Sequence, residues 1–551
     1  MPFETVAKDL AARIAVFETP HGRVETPTIM PVVNPTRQAL PMDDLKRAGA
    51  QMVITNSYMI WKNRREEALQ KGVHKLIGFD GPVMTDSGAF QLMEYGDIDV
   101  SNDDIVAFQK DIGVDIGVIL DLPGLATKEE MQANILETYR RAKRLEKGNS
   151  LWAGPIQGGT DLKLRKLACR KMAGIDFDTY AIGTVVPLLN SYDFATNIDI
   201  IATCKQHLPL NKPVHHFGAG HPMFFAFAVA MGVDLFDSAA YSLFAQKGKY
   251  LTVSGTIAKD ELAYLPCSCP VCSKASSPQE LTEKDLALHN LYVTFEEIGR
   301  IKQCIHDGTL WELLEERARA HPALYLALQR VGKNVKYLES LDPFTKKRFM
   351  YLSKESMLRP ELLRHKQLHI SSKRLVDAFP FKRVPMEIIE SYPYGQRVTP
   401  ESSMVNQELD DLSVLNGLGE RQFGVKGLFD GATVEKSRKT GRIRRAYRGT
   451  ELLAAVSPSS YTLIPHASAK DIHAKTKRWR VVVSDDAVPF VEQGKNAFAK
   501  FVESCDPGVR AGMEVLLVDK RDRLLGSGTA FLCAREMLDF DRGVAVATRK
   551  N

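Results

Sequence analysis

The sequence predicts an α/β protein built on a (β/α)8 TIM barrel, with an inserted zinc site, small α+β segments after it and a β-rich module at the C-terminus. Three observations carry the barrel. Short apolar runs recur between Met52 and Tyr241, each ending in a polar or glycine-bearing turn. A helix-like stretch follows each run, and strands alternating with helical patterns give a parallel sheet. Most run starts lie roughly 30 residues apart, the length of one βα unit in an eight-fold barrel.

In order, the runs are Met52–Tyr58, Gly81–Ser87, Ile116–Leu122, Leu151–Gln157, Thr179–Gly183, Val214–Gly220 and Leu235–Tyr241. They make seven units, so the eighth strand is expected in the N-terminal segment. A doubly wound open sheet is the rival architecture, because it shares the alternation. A chain of 551 residues exceeds one ordinary core. The expected division is 1–330 for the barrel with its metal loop, 331–400 for a linking α+β segment, 401–474 for a basic α+β segment and 475–551 for the β-rich module.

Composition narrows the class. Hydrophobic residues at 44% and charged residues at 25% exclude a disordered chain. No apolar run approaches the ~20 residues that span a bilayer, so no membrane partner is expected. Met1 to Ala15 has no basic segment leading into an apolar core, hence no secretory signal and an expected cytoplasmic location. The net charge of +6 permits nucleic-acid binding without demanding it. Its distribution says more: Lys436 to Arg448 (KSRKTGRIRRAYR) carries seven basic residues around one tyrosine. Such a run is either a solvated loop or a phosphate-backbone contact.

In a closed barrel the reacting side chains sit at the C-terminal ends of the strands. Those ends carry Asp86, Asp121, Gln157 and Asp237. A single aspartate there is usually a helix cap or turn residue. Four polar residues at matching places on different strands point instead to one pocket.

Of eight cysteines, five (Cys169, Cys204, Cys304, Cys505 and Cys533) are scattered and read as core or surface thiols. The other three form Cys267-x-Cys269-x-x-Cys272, between prolines 266 and 270, with His289 downstream. Three thiolates and one imidazole make a closed tetrahedral zinc site. Such a site is structural, since no position is left for water.

Several strings resemble tRNA-guanine transglycosylases. They are TPTIMPVV (Thr26–Val33), MTDSGAFQ (Met84–Gln91), GPIQGG (Gly154–Gly159), YAIGTVVPLL (Tyr180–Leu189), HHFGAGHP (His215–Pro222) and DLFDSAAY (Asp234–Tyr241), in the family's order and near its spacing. The resemblance covers about the first 330 residues and includes the cysteine cluster. It implies base exchange on ribose, which breaks an N-glycosidic bond through an oxocarbenium-like state with two acid/base or nucleophilic groups. By resemblance Asp237 is the nucleophile and Asp86 the general acid/base; the family also admits the reverse. Asp121 matches the residue that accepts hydrogen bonds from the guanine-like edge. Gln157, Ser87 and the backbone of Gly183 and Thr184 match further base contacts, and Phe90 a stacking ring. Where bacterial relatives carry two glycines this chain has Gly183-Thr184, a narrower place that fits the small nitrile-bearing base preQ0. The stretch from Cys272 to His289 is shorter than usual in the family, so spacing anchors His289 least among the ligands of the one zinc per chain.

The tail separates branches of the family. SYPYGQRVTP (Ser391–Pro400) resembles the archaeal, archaeosine-forming enzymes. The last ~75 residues alternate apolar strands with Gly and Asp turns, as in a compact barrel. They resemble a PUA domain, an RNA-binding module, with glycines 494, 512, 526, 528 and 543 assigned to its turns. A generic β module for oligomerisation is the other reading. The resemblance implies exchange of guanine at position 15 of the tRNA D-arm for preQ0, by a homodimer. Alternatives are a queuine-type tRNA enzyme, a DNA deazaguanine transglycosylase, an amidine-forming archaeosine synthase-like paralogue and a non-catalytic RNA-binding subunit. Retention of Asp86, Asp121 and Asp237 argues against the last two.

Overall fold

Largely apolar runs of three to six residues are too short to bury themselves, and in this chain they pair edge to edge. In the computed structural model, which describes residues 3–89, 100–122, 127–369, 371–400 and 409–549, the pairing begins with three antiparallel strands. These are β1 (Phe3–Asp9), β2 (Ala12–Thr19) and β3 (Gly22–Thr26). Eight parallel strands follow: β4 (Thr28–Pro31), β5 (Val53–Asn56), β6 (Val83–Asp86), β7 (Ile116–Val118), β8 (Leu151–Ile156), β9 (Thr179–Ile182), β10 (Val214–His216) and β11 (Leu235–Ser238). Neighbours run β4-β11-β10-β9-β8-β7-β6-β5. The seam between β4 and β5 closes through a parallel bridge of Val32 with Ile54, where Val33 N–H donates to the Ile54 carbonyl at 2.8 Å. The barrel is therefore nearly closed, the open-sheet alternative fails, and β4 is the strand the sequence pattern left unplaced.

The inside is packed. Met30, Ile54, Met84, Ile116, Val118, Leu151, Ala153, Ala181 and Leu235 form one buried cluster with Phe3, Phe17 and Val24 from β1–β3. The N-terminal sheet thus covers one mouth of the barrel. At the N-terminal ends of the strands a device repeats. Asp115, just before β7, accepts from Val83 N–H of β6 at 2.8 Å. Asp178, just before β9, accepts from Trp152 N–H of β8 at 3.0 Å. Asp234, just before β11, accepts from Val214 N–H of β10 at 2.8 Å. Each carboxylate satisfies an N–H at the start of the neighbouring strand.

The chain divides into two compact units. One comprises Met1–Ala7, Ala11–His306 and Glu316–Val331, and holds the barrel. The other comprises Lys8–Leu10, Asp307–Glu315 and Gly332–Asn551. Within this second unit Lys346 is buried between Asp9 (2.6 Å) and Asp342 (2.8 Å), and Arg359 between Glu312 (2.8 Å) and Glu361 (3.0 Å). The unit also carries a four-stranded antiparallel sheet (Thr433–Lys436, Ile443–Arg448, Glu451–Val456, Leu463–Pro465). A six-stranded sheet follows, whose longest members are Leu524–Ala530 and Val544–Arg549. Glycines 494, 512 and 543 have left-handed backbone, as turn residues do. Gly526 and Gly528 correct the expectation: both lie inside the strand Leu524–Ala530, where a Cβ on Gly528 would come within 2.6 Å of the Ala547 carbonyl. Close strand packing, not a turn, asks for glycine there. Among the described residues no helix is long and apolar enough to cross a membrane.

Candidate active site

The C-terminal ends of β6 to β11 gather the polar residues that the sequence singled out. Asp86 ends β6, Asp121 follows β7, Gln157 follows β8, Gly183 and Thr184 follow β9, and Asp237 lies in β11.

Asp86 is held by its neighbour strand. Asn56, paired with it in register across β5 and β6, donates from Nδ2 to Asp86 Oδ2 at 3.1 Å. Gly88 N–H donates to Oδ1 at 3.3 Å. Burial pushes the Asp86 carboxyl up to about 7, and the charges of Asp121 and Asp237 add to the rise. A carboxyl raised that far is partly protonated near neutrality. Ser87 is fully buried, and its hydroxyl has no partner among the described residues.

Asp121 and Gln157 are hydrogen-bonded to each other, Gln157 donating from Nε2. Burial pushes Asp121 up to about 6 against that bond. Thr184 donates from Oγ1 to Gln157 Oε1 at 3.0 Å, which fixes the amide's orientation. Thr184 takes φ +54°, an uncommon backbone for a β-branched residue. Its neighbour is glycine, and a Cβ on Gly183 would lie 2.6 Å from Gln157 Nε2 and push the amide out of this position. Beneath them the buried Arg165 donates to the carbonyls of Ile156 (2.7 Å), Gly159 (2.9 Å) and Gly183 (2.8 Å) and to Thr184 Oγ1 (3.1 Å). Its charge is met by backbone dipoles, and in this way it binds the two loops together.

Asp237 receives two donors on one oxygen. His215 Nε2 lies 2.7 Å from Oδ1, and Gly218 N–H lies 2.6 Å from the same atom. No hydrogen bond to the second oxygen is formed among the described residues. His215 is buried, and its Nδ1 has no partner among the described residues.

The cysteine motif lies elsewhere in the same unit, after the hairpin of β12 (Lys249–Thr252) and β13 (Gly255–Ala258). Cys267, Cys269, Cys272 and His289 bring one ligand atom each within 4.8 Å of one another. Cys272 Sγ is 3.3 Å and Cys269 Sγ 3.6 Å from His289 Nδ1. Tetrahedral coordination needs ligand atoms about that far apart, given bonds of about 2.0–2.3 Å. His289 Nε2 sits 3.0 Å from the Leu251 carbonyl, which fixes the tautomer that presents Nδ1 to a metal. The ring of Tyr250 stacks on His289 with centroids 3.6 Å apart. The donor set fits a structural metal ion.

The family model described as queuine tRNA-ribosyltransferase matches residues 9–323, and that of the PUA domain matches residues 479–551. A tRNA-guanine(15) transglycosylase of Pyrococcus furiosus is 44% identical over all of this chain and 97% of its own length. Those of Pyrococcus abyssi and Thermococcus onnurineus are 43% and 42% identical, each over all of this chain and 98% of their own lengths. The chain belongs to the tRNA-guanine transglycosylase family.

Within that family frame the fold brings Asp86, Ser87, Asp121, Gln157, Gly183, Thr184 and Asp237 to one end of the barrel. Phe90 lies outside the described residues. Sequence reasoning missed Asn56, Arg165, His215 and the Gly218 N–H. Asn56 and His215 stand inside runs already read as strands, so a polar residue within an otherwise apolar run was the available signal. Arg165 sits mid-helix in Leu162–Ala173, where an arginine normally marks a solvent face.

Proposed function

We propose that the chain exchanges guanine at position 15 of the tRNA D-arm for preQ0, 7-cyano-7-deazaguanine, in archaeosine formation. The observation that carries the chemistry is the pairing of two unlike carboxylates at one barrel end. Asp86 is raised to about 7, while Asp237 is aimed by two donors on one oxygen. A free Asp237 oxygen attacks C1′ of the ribose as the C1′–N9 bond breaks, and protonated Asp86 gives its proton to the departing guanine. The entering base then loses its N9 proton to the Asp86 carboxylate. N9 bonds to C1′, and the aspartyl ester breaks. Asp121 and Gln157, with Ser87 and the Gly183–Thr184 backbone, receive the base edge; Phe90 is assigned to stack on it.

The Cys267, Cys269, Cys272 and His289 cluster is assigned one structural zinc, which supplies no step of this reaction. Segments 401–474 and 475–551 are assigned to gripping tRNA, and 331–400 is assigned as the linking α+β segment. A D-arm guanine is buried in the tRNA core, and added binding surface offsets the cost of exposing it. The working form is a cytoplasmic homodimer.

Radiolabelled guanine exchange tests the reading. Incorporation into tRNA is expected, with none into DNA and none into tRNA altered in the D-arm; preQ0 should displace the label. Exchange at the anticodon instead would replace this reading with a queuine-type enzyme. Zinc analysis should return a full equivalent that Cys269→Ala loses, and with it thermal stability, since ligation and folding are coupled.

A further inference from the structure

We infer that His21, His74 and Asp115 form a second divalent-metal site, of the zinc, cobalt and nickel class, at the N-terminal end of the barrel. His21 lies in the turn between β2 and β3. His74 lies in the last turn of the helical stretch Ser57–Ile77, beyond a break at Gly72. Asp115 immediately precedes β7. One nitrogen of each ring faces the same carboxylate: His21 Nδ1 is 3.0 Å from Asp115 Oδ1, and His74 Nε2 is 2.8 Å from Oδ2. The three ligand atoms all lie within 4.8 Å of one another, and the two imidazole rings lie face against face, with centroids 3.8 Å apart and planes at 33°.

The carboxylate is built for the task. Asp115 is fully buried, and each of its oxygens already accepts one backbone N–H: Val83 N to Oδ2 and His21 N to Oδ1, both at 2.8 Å. These bonds fix its plane and leave one lone pair per oxygen, both turned to the imidazoles. Backbone donors behind a ligating carboxylate are what orients such ligands. Bonds of about 2.0–2.2 Å in a tetrahedron place ligand atoms ~3.3 Å apart and hold two imidazole centroids roughly 5 Å apart, so one ring has to swing outward by about an ångström from the present 3.8 Å separation. His21 can give that: its side chain is 47% exposed, against 16% for His74. The exposed side leaves a fourth position for water. Two imidazoles and one carboxylate suit borderline divalent cations, whereas magnesium and calcium prefer all-oxygen shells. The site is distant in the fold from the reacting carboxylates, which stand at the opposite ends of the strands. Its role is to staple the β2–β3 turn and the Ser57–Ile77 helix to the barrel floor.

Metal counting on the full chain tests this. Protein exposed to zinc and desalted should hold two equivalents. His21→Ala and His74→Ala should each hold one, and Cys269→Ala should also keep one. Cobalt separates the two sites by colour: the cysteine site gives intense thiolate-to-cobalt charge transfer, while the histidine site adds weak d–d bands that His21→Ala removes. His21 is in an exposed turn outside the proposed active site, so guanine exchange by His21→Ala should stay at the parent's rate and report that the variant is folded. A single equivalent in the parent, or a second equivalent that survives both histidine changes, would overturn the site and leave the trio as a hydrogen-bonded clasp.

Discussion

The two ends of the barrel treat the same side chain in opposite ways. Asp86 and Asp121, at the C-terminal ends of the strands, are pushed up to about 7 and about 6 by burial that few donors offset. Asp115, at the N-terminal end, is also buried, and burial again acts to raise it. The His74 ring, the Val83 N–H, the His21 ring and the His21 N–H outweigh burial and hold it below the usual carboxylate range. The donors aimed at a carboxylate, set against its burial, decide whether it exchanges protons or acts as a fixed anchor. On the proposed function, one end of the barrel is assigned the chemistry and the other a role in strength.

The sharpest way to break that contrast is to disarm the reacting end. Asp237→Asn should lose the covalent RNA adduct on denaturing gels and lower exchange by a factor on the order of 10³ or more, because an amide cannot attack C1′. The fold should persist, since the amide oxygen still accepts from Gly218 N–H. An undiminished adduct would move the nucleophilic role to Asp86.

Next in size is a cut at the strengthening end. Asp234 faces Arg13 through two bonds, Nε to Oδ1 at 2.8 Å and Nη2 to Oδ2 at 2.9 Å, with both residues buried. Asp234→Ala leaves a buried guanidinium without its carboxylate and strips the Val214 N–H of its acceptor. We expect destabilisation of about 3–5 kcal/mol in urea unfolding, with kcat of the folded fraction unchanged. A fall in kcat at full folding would show that the two ends are coupled.

A third test reads the cost of keeping Asp86 protonated. Its folded pKa of about 7 lies above the ordinary 3.8, so the folded state holds the proton more tightly than the unfolded one. That contribution is full below about pH 4 and is lost as pH climbs through 7. Asn does not ionise and escapes this loss. Asp86→Asn should raise Tm at pH 8, by an amount corresponding to at most roughly 4 kcal/mol, and change it little at pH 4. The same variant should lose exchange activity, along with the pH–rate limb near 7. Equal Tm shifts at both pH values would contradict a raised carboxyl.

Much of this is legible in the sequence because the signals are local and periodic. The seven strand runs, the polar residue at each strand end and the three cysteines within six positions are short-range patterns. What the sequence hides depends on pairing across long separations. Asp115 meets His74 and His21 across 41 and 94 residues, and no spacing rule links them. Gly526 and Gly528 mislead because a glycine demanded by close strand packing looks, in sequence, like one demanded by a turn.

The smallest expected effect lies outside the barrel and sharpens the contrast by confining chemistry to one place. The basic run Lys436–Arg448 spans two adjacent strands of the four-stranded sheet and the turn between them. Four of its seven cations are already paired: Lys436 with Asp411, Arg442 with Glu390, Arg445 with Glu435 and Arg448 with Asp471. Arg438, Lys439 and Arg444 form no ion pair among the described residues. A cation already matched by a carboxylate gains less from a phosphate, because reaching it leaves the carboxylate behind. The three unmatched side chains are therefore the ones expected to release counterions on binding tRNA. Replacing all three with glutamine should raise the tRNA KM several-fold. It should also flatten the dependence of log KM on log salt, by about 0.7–0.9 for each phosphate no longer neutralised. Because a cation on a phosphate positions the substrate without touching the base, kcat at saturating tRNA should hold. Replacing Arg442, Arg445 and Arg448 instead should shift KM less. No shift from either set would mean that the whole run is solvated, equal and sizeable shifts would mean that ion pairing does not decide which cations meet phosphate, and a fall in kcat would mean that tRNA placement reaches into the reacting end of the barrel.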